Sequence, residues 1–124
     1  MEVRRGDIWQ VDFGVNKGSR QNGIRPAVIV SNNIGNKFSP TVLAMPLTSQ
    51  PKKPLPTHGR IKATQVNGLD CDSTFLAEQS APVDKDSLLF YRGKLTLEQM
   101  AEVDAALSIS FGLAAIRNGR YATA

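Results

Sequence analysis

Gly-Ile-Arg-Pro-Ala-Val-Ile-Val-Ser, residues 23–31, is the stretch on which the fold turns. From Pro26 onward it is continuously apolar and rich in β-branched side chains, the composition of a strand buried on both faces. Pro26 stands at the first position of the run, where a missing N–H is tolerated. Ahead of it lies a polar, glycine-containing segment, GVNKGSRQNGIR (14–25). That segment is long for a hairpin connection, and long loops in small domains are usually functional or mobile. Further toward the N-terminus, DIWQVDF (7–13) alternates, with Ile8, Gln10 and Asp12 on one side and Trp9, Val11 and Phe13 on the other. Trp9 and Phe13 are expected in the core.

On the other side, TVLAMPLTS (41–49) is a second buried run, and Pro46 inside it predicts an edge or a bulge. A Pro- and Lys-rich loop, QPKKPLPTHG (50–59), separates it from three further strand candidates: GRIKA (59–63), STFLAEQ (73–79) and LLFYRGKL (88–95). The pattern then changes period. Thr96-Leu97-Glu98-Gln99 has the form of a capping box, and Met100, Val103, Leu107 and Ala114 recur at helical spacing. One amphipathic helix is expected over about 97–117, followed by a frayed tail, NGRYATA. The expectation is a mostly β (α+β) single domain over residues 1–124, a strongly curved antiparallel sheet closed by one C-terminal helix.

Composition narrows the chemistry. A chain of 124 residues can bury a real core without a staple. Cys71 is the only cysteine and His58 the only histidine, so neither an intrachain disulfide nor a four-ligand Cys/His zinc site can form. That usage suits a reducing cytoplasm. The N-terminal stretch alternates where a signal peptide would be unbroken and apolar, and no apolar run approaches the roughly 18 residues of a membrane span. Residues 1–62 hold ten Lys/Arg against three acids and residues 63–124 five against eight, so a +7 half faces a −3 half. Such asymmetry suits a polyanion-binding face, and equally an unevenly charged solvated surface.

In order along the chain, RRGDIWQVDF, KGSRQNGIRPAVIVSN, LTSQ, LAEQ and the C-terminal helix resemble the successive motifs of the MazF/PemK toxin family. The resemblance runs from Val3 to about Ala115, and IGNKFSPT and LPTH are similar to members from Gram-positive bacteria. It implies an SH3-like barrel, a homodimer, a cognate antitoxin, and cleavage of single-stranded RNA to 2′,3′-cyclic phosphate and 5′-hydroxyl ends. No cofactor and no metal are implied, and a cytoplasmic protein without a membrane is.

Cleavage by the RNA's own 2′-hydroxyl needs in-line positioning, two proton movements and stabilisation of charge on phosphorus. The resemblance aligns Arg25, whose planar fork matches two phosphate oxygens, with the family's catalytic arginine. It makes Thr48 the second catalytic residue, a hydroxyl that can donate to a phosphate oxygen or orient the 2′-hydroxyl. Glu78, in the family's acid-Gln position, is the candidate general base. Lys17, Arg20, Gln21, Asn32, Lys53, Ser73 and Gln79 are candidate RNA contacts, with Gln79 offering both donors and an acceptor to a base edge. His58 lies outside the loop that carries the catalytic histidine of some relatives, so no catalytic role is expected of it. Arg20 departs from the Glu that many relatives carry in Gly-Ser-Glu-Gln. Relatives on this fold that act on gyrase depend on a Trp near the C-terminus, whereas Trp9 is the only tryptophan here. The competing reading is a catalytically silent RNA- or protein-binding module on the same fold.

Overall fold

A computed structural model describes residues 1–16, 18, 21–113, 116–117 and 120–121. Its elements are β1 (Asp7–Asp12), β2 (Ile24–Ile29), α1 (Asn33–Phe38), β3 (Thr41–Thr48), β4 (His58–Ile61), β5 (Ser73–Leu76), β6 (Ala81–Asp84), β7 (Leu88–Lys94) and α2 (Leu97–Ser110), followed by a short β8 (Ile116–Arg117) and β9 (Arg120–Tyr121). Seven strands form one antiparallel sheet in the order β4-β5-β3-β2-β1-β7, with β6 also paired to β3. The hydrogen-bonded path is open: β4 and β7 end it without pairing to each other. The expected barrel is therefore a strongly curled open sheet with a helix over one face.

Period-2 alternation explains why one sheet has two cores. Ile8, Val28, Met45, Leu47 and Phe75 point to one face and pack against Val103, Ala106 and Leu107 of α2. Trp9, Val11, Ala27, Ile29, Val42, Ala44 and Leu88 point to the other, with Val3 and the partly buried Phe13 and Val83. No helix contributes to this second cluster, so the sheet must curl over its own face to bury it. Trp9 and Phe13 thus join the core, as expected. Two register irregularities between β1 and β7, at Ile8/Trp9 and Gln10/Val11, supply part of the curl. Burying a side chain such as Phe75 in a cluster of this kind contributes roughly 1.5–3 kcal/mol.

Three expectations need correction, and two elements were not foreseen. Pro46 is not on an edge: β3 is central, and Pro46 stands at an interruption of the ladder, between Ala44, the last residue paired to β6, and Leu47, the first paired to β5. Its missing N–H falls where the neighbouring strand changes. The helix ends at Ser110 instead of running to 117, because Gly112 takes φ +72° and closes a Schellman turn, its N–H donating to Ile109 and that of Leu113 to Ser108. Ala114 lies outside the described residues; Ile116–Arg117, expected in the helix, pair as β8 with β9 (Arg120–Tyr121) of the expected frayed tail. Finally, α1 and β6 have no counterpart in the sequence reading. The capping box is present as expected, with Gln99 N–H donating to Thr96 Oγ1 at 3.1 Å and Thr96 N–H to Gln99 Oε1 at 2.9 Å.

Candidate active site

Arg25 and Thr48 come from strands adjacent in the sheet and open into one cleft of about 290 Å³. Ser73 of β5 joins them, and so do Gln10 of β1, Arg92 of β7 and the loop residues Asp70 and Cys71. Arg25 is placed by the end of the long loop: its Nε donates to the Asn22 carbonyl at 3.1 Å. Its two Nη groups have no partner among the described residues, so a fork of donors is left for an anion. Thr48 is 5% exposed and its Oγ1 accepts from the Gln50 N–H at 3.1 Å, which fixes the oxygen and leaves the hydroxyl proton available. Ser73 is buried and spends its proton on the Cys71 carbonyl at 3.0 Å, steadying the cleft wall.

The loop between β4 and β5 is built around a side chain rather than a regular element. Asn67, 1% exposed, accepts from the N–H groups of Thr64 and Leu69 and donates to the Lys62 carbonyl. This internal scaffold delivers Asp70 and Cys71 to the cleft rim. Arg92 ties the same loop to β7 through the Gly68 carbonyl.

Glu78 does not line this cleft. It follows β5 on a 3-10 turn (Ala77–Gln79) and faces a separate hollow of about 310 Å³ with Gln21 and Gln79. Outside that hollow's lining, His58 Nε2 lies 2.6 Å from the Glu78 Oε1. The His58 Nδ1 stands 3.3 Å from the Lys53 carbonyl, which can only accept, so with Nε2 facing a carboxylate both ring nitrogens are in donor positions. Partial burial raises the Glu78 carboxyl, but hydrogen bonds from His58, its own backbone N–H and Thr57 hold it below the ordinary carboxylate value. A carboxylate so engaged is a weakened base.

The remaining candidates separate. Gln21 and Gln79 meet, the Gln21 N–H donating to Gln79 Oε1 at 3.4 Å. Lys53 is exposed on the loop before β4. Asn32 is elsewhere: its Oδ1 caps α1, accepting from the Gly35 N–H at 2.8 Å. Lys17 and Arg20 lie outside the described residues. Gln10 and Arg92 are cleft residues that sequence reasoning missed. The only local signal was a polar residue at an alternating position of β1 and an Arg directly after the apolar run Leu88–Tyr91 of β7.

Comparison with known proteins places this arrangement. The model of a family described as PemK-like, MazF-like toxins of type II toxin–antitoxin systems matches residues 4–111. A Staphylococcus saprophyticus protein named Endoribonuclease MazF is 42% identical over 117 residues, covering 94% of this chain and 97% of the relative. Among solved structures, a mycobacterial endoribonuclease in complex with its cognate antitoxin superposes with a TM-score of 0.76 at 26% identity, covering 92% of this chain and 99% of that one. A MazF from Deinococcus radiodurans has the same fold, with a TM-score of 0.77 at 23% identity over 90% of this chain and 98% of that one. A family match over most of the chain, and a relative that nearly spans it, agree with the curled sheet and its cleft: the chain belongs to the PemK-like, MazF-like toxins of type II toxin–antitoxin systems.

Proposed function

We propose that this toxin is a sequence-specific endoribonuclease that cleaves single-stranded RNA without a metal ion, with Arg25 and Thr48 as its catalytic pair. The observation that carries the reading is the convergence of two uncommitted donors, the Arg25 Nη groups and the Thr48 hydroxyl proton, on one cleft. In the reaction the 2′-oxygen bonds to the adjacent phosphorus as the bond to the 5′-oxygen breaks, leaving a 2′,3′-cyclic phosphate and a 5′-hydroxyl. The Arg25 fork meets the non-bridging oxygens as their charge grows, and Thr48 donates to one of them or holds the 2′-hydroxyl in line. Arginine is too weak an acid to be the first choice of proton donor, so charge stabilisation is its main role. Glu78, engaged by His58 and facing a separate hollow with Gln21 and Gln79, serves RNA binding better than it serves the reacting atoms.

The endoribonuclease name of the staphylococcal relative supports the activity, and the antitoxin complex of the mycobacterial one supports a cognate antitoxin as partner. A homodimer acting on RNA in the cytoplasm completes the proposal. Among the described residues no three His, Cys, Asp or Glu side chains gather, which favours chemistry driven by the RNA's own hydroxyl. The test is to incubate the protein with a long RNA in EDTA and map the new 5′ ends. Discrete cuts bearing 5′-hydroxyls in single-stranded regions are expected. A requirement for added magnesium, or equal cutting of duplex, sinks the proposal.

A further inference from the structure

Gln10 and Arg92 line the Arg25–Thr48 cleft, yet the chemistry above uses neither. The Arg92 side chain is 10% exposed and firmly held. Its Nε and Nη2 donate to the Gly68 carbonyl at 3.1 and 2.8 Å, and Nη2 lies 3.0 Å from the highly exposed Asp70 carboxylate. Its Nη1 donates to Gln10 Oε1 at 2.9 Å. A guanidinium carries donors only, so it selects the oxygen of the Gln10 amide and turns the NH2 the other way. That NH2 has no partner among the described residues. Phe90 pairs with Gln10 across β1 and β7, is half-exposed, and has the Arg92 guanidinium carbon 5.8 Å from its ring centroid.

We propose that these three residues form a nucleobase subsite beside the scissile phosphate, resting on the RNA-cleaving reading above. Phe90 offers the stacking surface, Gln10 reads the base edge, and Arg92 is a positioning residue that fixes which way Gln10 reads. A donor-only amide accepts a base that presents a carbonyl, uracil through O4 or guanine through O6. Cytosine and adenine present an amino group at the same place and leave two donors facing each other. Discrimination on the order of ten- to a hundredfold follows from one such contact.

The decisive variant is Gln10→Glu. One carboxylate oxygen keeps Arg92, while the other puts an acceptor where the NH2 stood. Cleavage of RNA pools randomised around the cut is read by 5′-end sequencing and single-turnover rates. The parental protein should favour U or G at one position flanking the cut, and Gln10→Glu should swing that position toward C or A by about tenfold or more. Arg92→Met should flatten the preference at that position, because a released amide can present either edge, a change that a merely structural role would not produce. On the unaltered protein, replacing the preferred uracil by 2-pyrimidinone, or guanine by 2-aminopurine, deletes the carbonyl and should slow cleavage about tenfold. No cleavage by the parental protein would overturn the RNA reading itself. Parental cleavage with Gln10→Glu unchanged or slowed alike at every sequence, or an unchanged rate on the carbonyl-deleted base, overturns the subsite while leaving that reading intact.

Discussion

Arg25 leaves the long loop with one hydrogen bond, to the Asn22 carbonyl, and the rest of its fork turned to the cleft. Arg25→Ala is therefore expected to lower single-turnover cleavage at saturating protein by about a hundred- to a thousandfold, the usual cost of one preorganised donor. RNA binding should fall much less, and a parental rate at saturation would reduce Arg25 to a phosphate anchor. The cations left to support binding are fewer than the charge count suggests, since Arg4 is paired with Glu2 and Arg5 with Asp104. Among the described residues, exposed Lys37, Lys52, Lys53 and Lys62 of the basic half remain without an ion pair. Glu78 gives a pH signature of its own. Its folded value is depressed, so the stabilisation is complete above the unfolded value of about 4.3 and is lost as pH falls through the lower folded value. Glu78→Gln should remove part of the acid-side decline in stability, measured by urea unfolding at pH 7 and in steps below about pH 4.3. An identical decline in both proteins would show that the His58 contact does not stabilise the ionised form. Arg25 and Thr48 were legible because each stands near a strand end inside a recognisable motif, and Ser73 because it opens the strand that leads into the LAEQ motif. Gln10 and Arg92 were not, being 82 positions apart and joined only by the register of β1 on β7.

The long strands were legible for a simple reason: β1, β2 and β3 carry period-2 or continuously apolar runs that match their burial, and β7 carries an apolar run although its Leu89, Phe90 and Tyr91 stand half-exposed. The elements that escaped have no such run. In β6 the four residues are Ala-Pro-Val-Asp, and β6 exists because β3 offers it a ladder from Thr41 to Ala44. The six-residue α1 depends on Asn32 as cap and on buried Asn36, a polar anchor that hydropathy cannot flag. The end of α2 was readable in principle, since Phe111-Gly112 is a Schellman signature, but helical spacing alone carried the expectation past it. The loop between β4 and β5 shows how one element can be fixed by another's lack of a side chain. A Cβ on Gly93 of β7 would stand 2.2 Å from the Val66 carbonyl oxygen and 2.7 Å from the Asn67 carbonyl carbon, both backbone. Gly93→Ala must therefore push the loop away or bend β7. A loss of roughly 1–3 kcal/mol or more is expected in denaturant unfolding, of the size seen for overpacked interiors. Because that loop carries Asp70 and Cys71, cleavage should also slow under conditions where the variant is still folded. Parental stability in Gly93→Ala would mean that the loop yields freely and that its contact with β7 does not shape the cleft.

For the molecule as a whole, the two halves of opposite charge meet in one sheet, with the cleft drawing Gln10, Arg25 and Thr48 from the basic half and Asp70, Ser73 and Arg92 from the acidic one. Sequence could suggest the asymmetry but not that both halves would share a site. A cleft of about 290 Å³ is too small to hold several nucleotides, so recognition of a multi-base sequence needs surface beyond the cleft itself. Two further features ask for a neighbour. The strand path ends at β4 and β7, and Leu97, Phe111 and Leu113 stand 90%, 64% and 77% exposed around the two ends of α2. Edge strands and exposed apolar side chains are liabilities that a second copy can cover, and two-fold pairing is the commonest way to do so. Sedimentation of the free protein is therefore expected to give twice the chain mass, and mixing active chains with Arg25→Ala chains should report how the cleft is composed. If each cleft is complete within one chain, mixed dimers retain half the parental rate. If the RNA path crosses both chains, activity falls further, because a single damaged cleft spoils a shared groove. A stable monomer that cuts RNA at the full rate would count against the dimer and would require one chain to read the whole sequence through the cleft and the Glu78–Gln79 hollow alone.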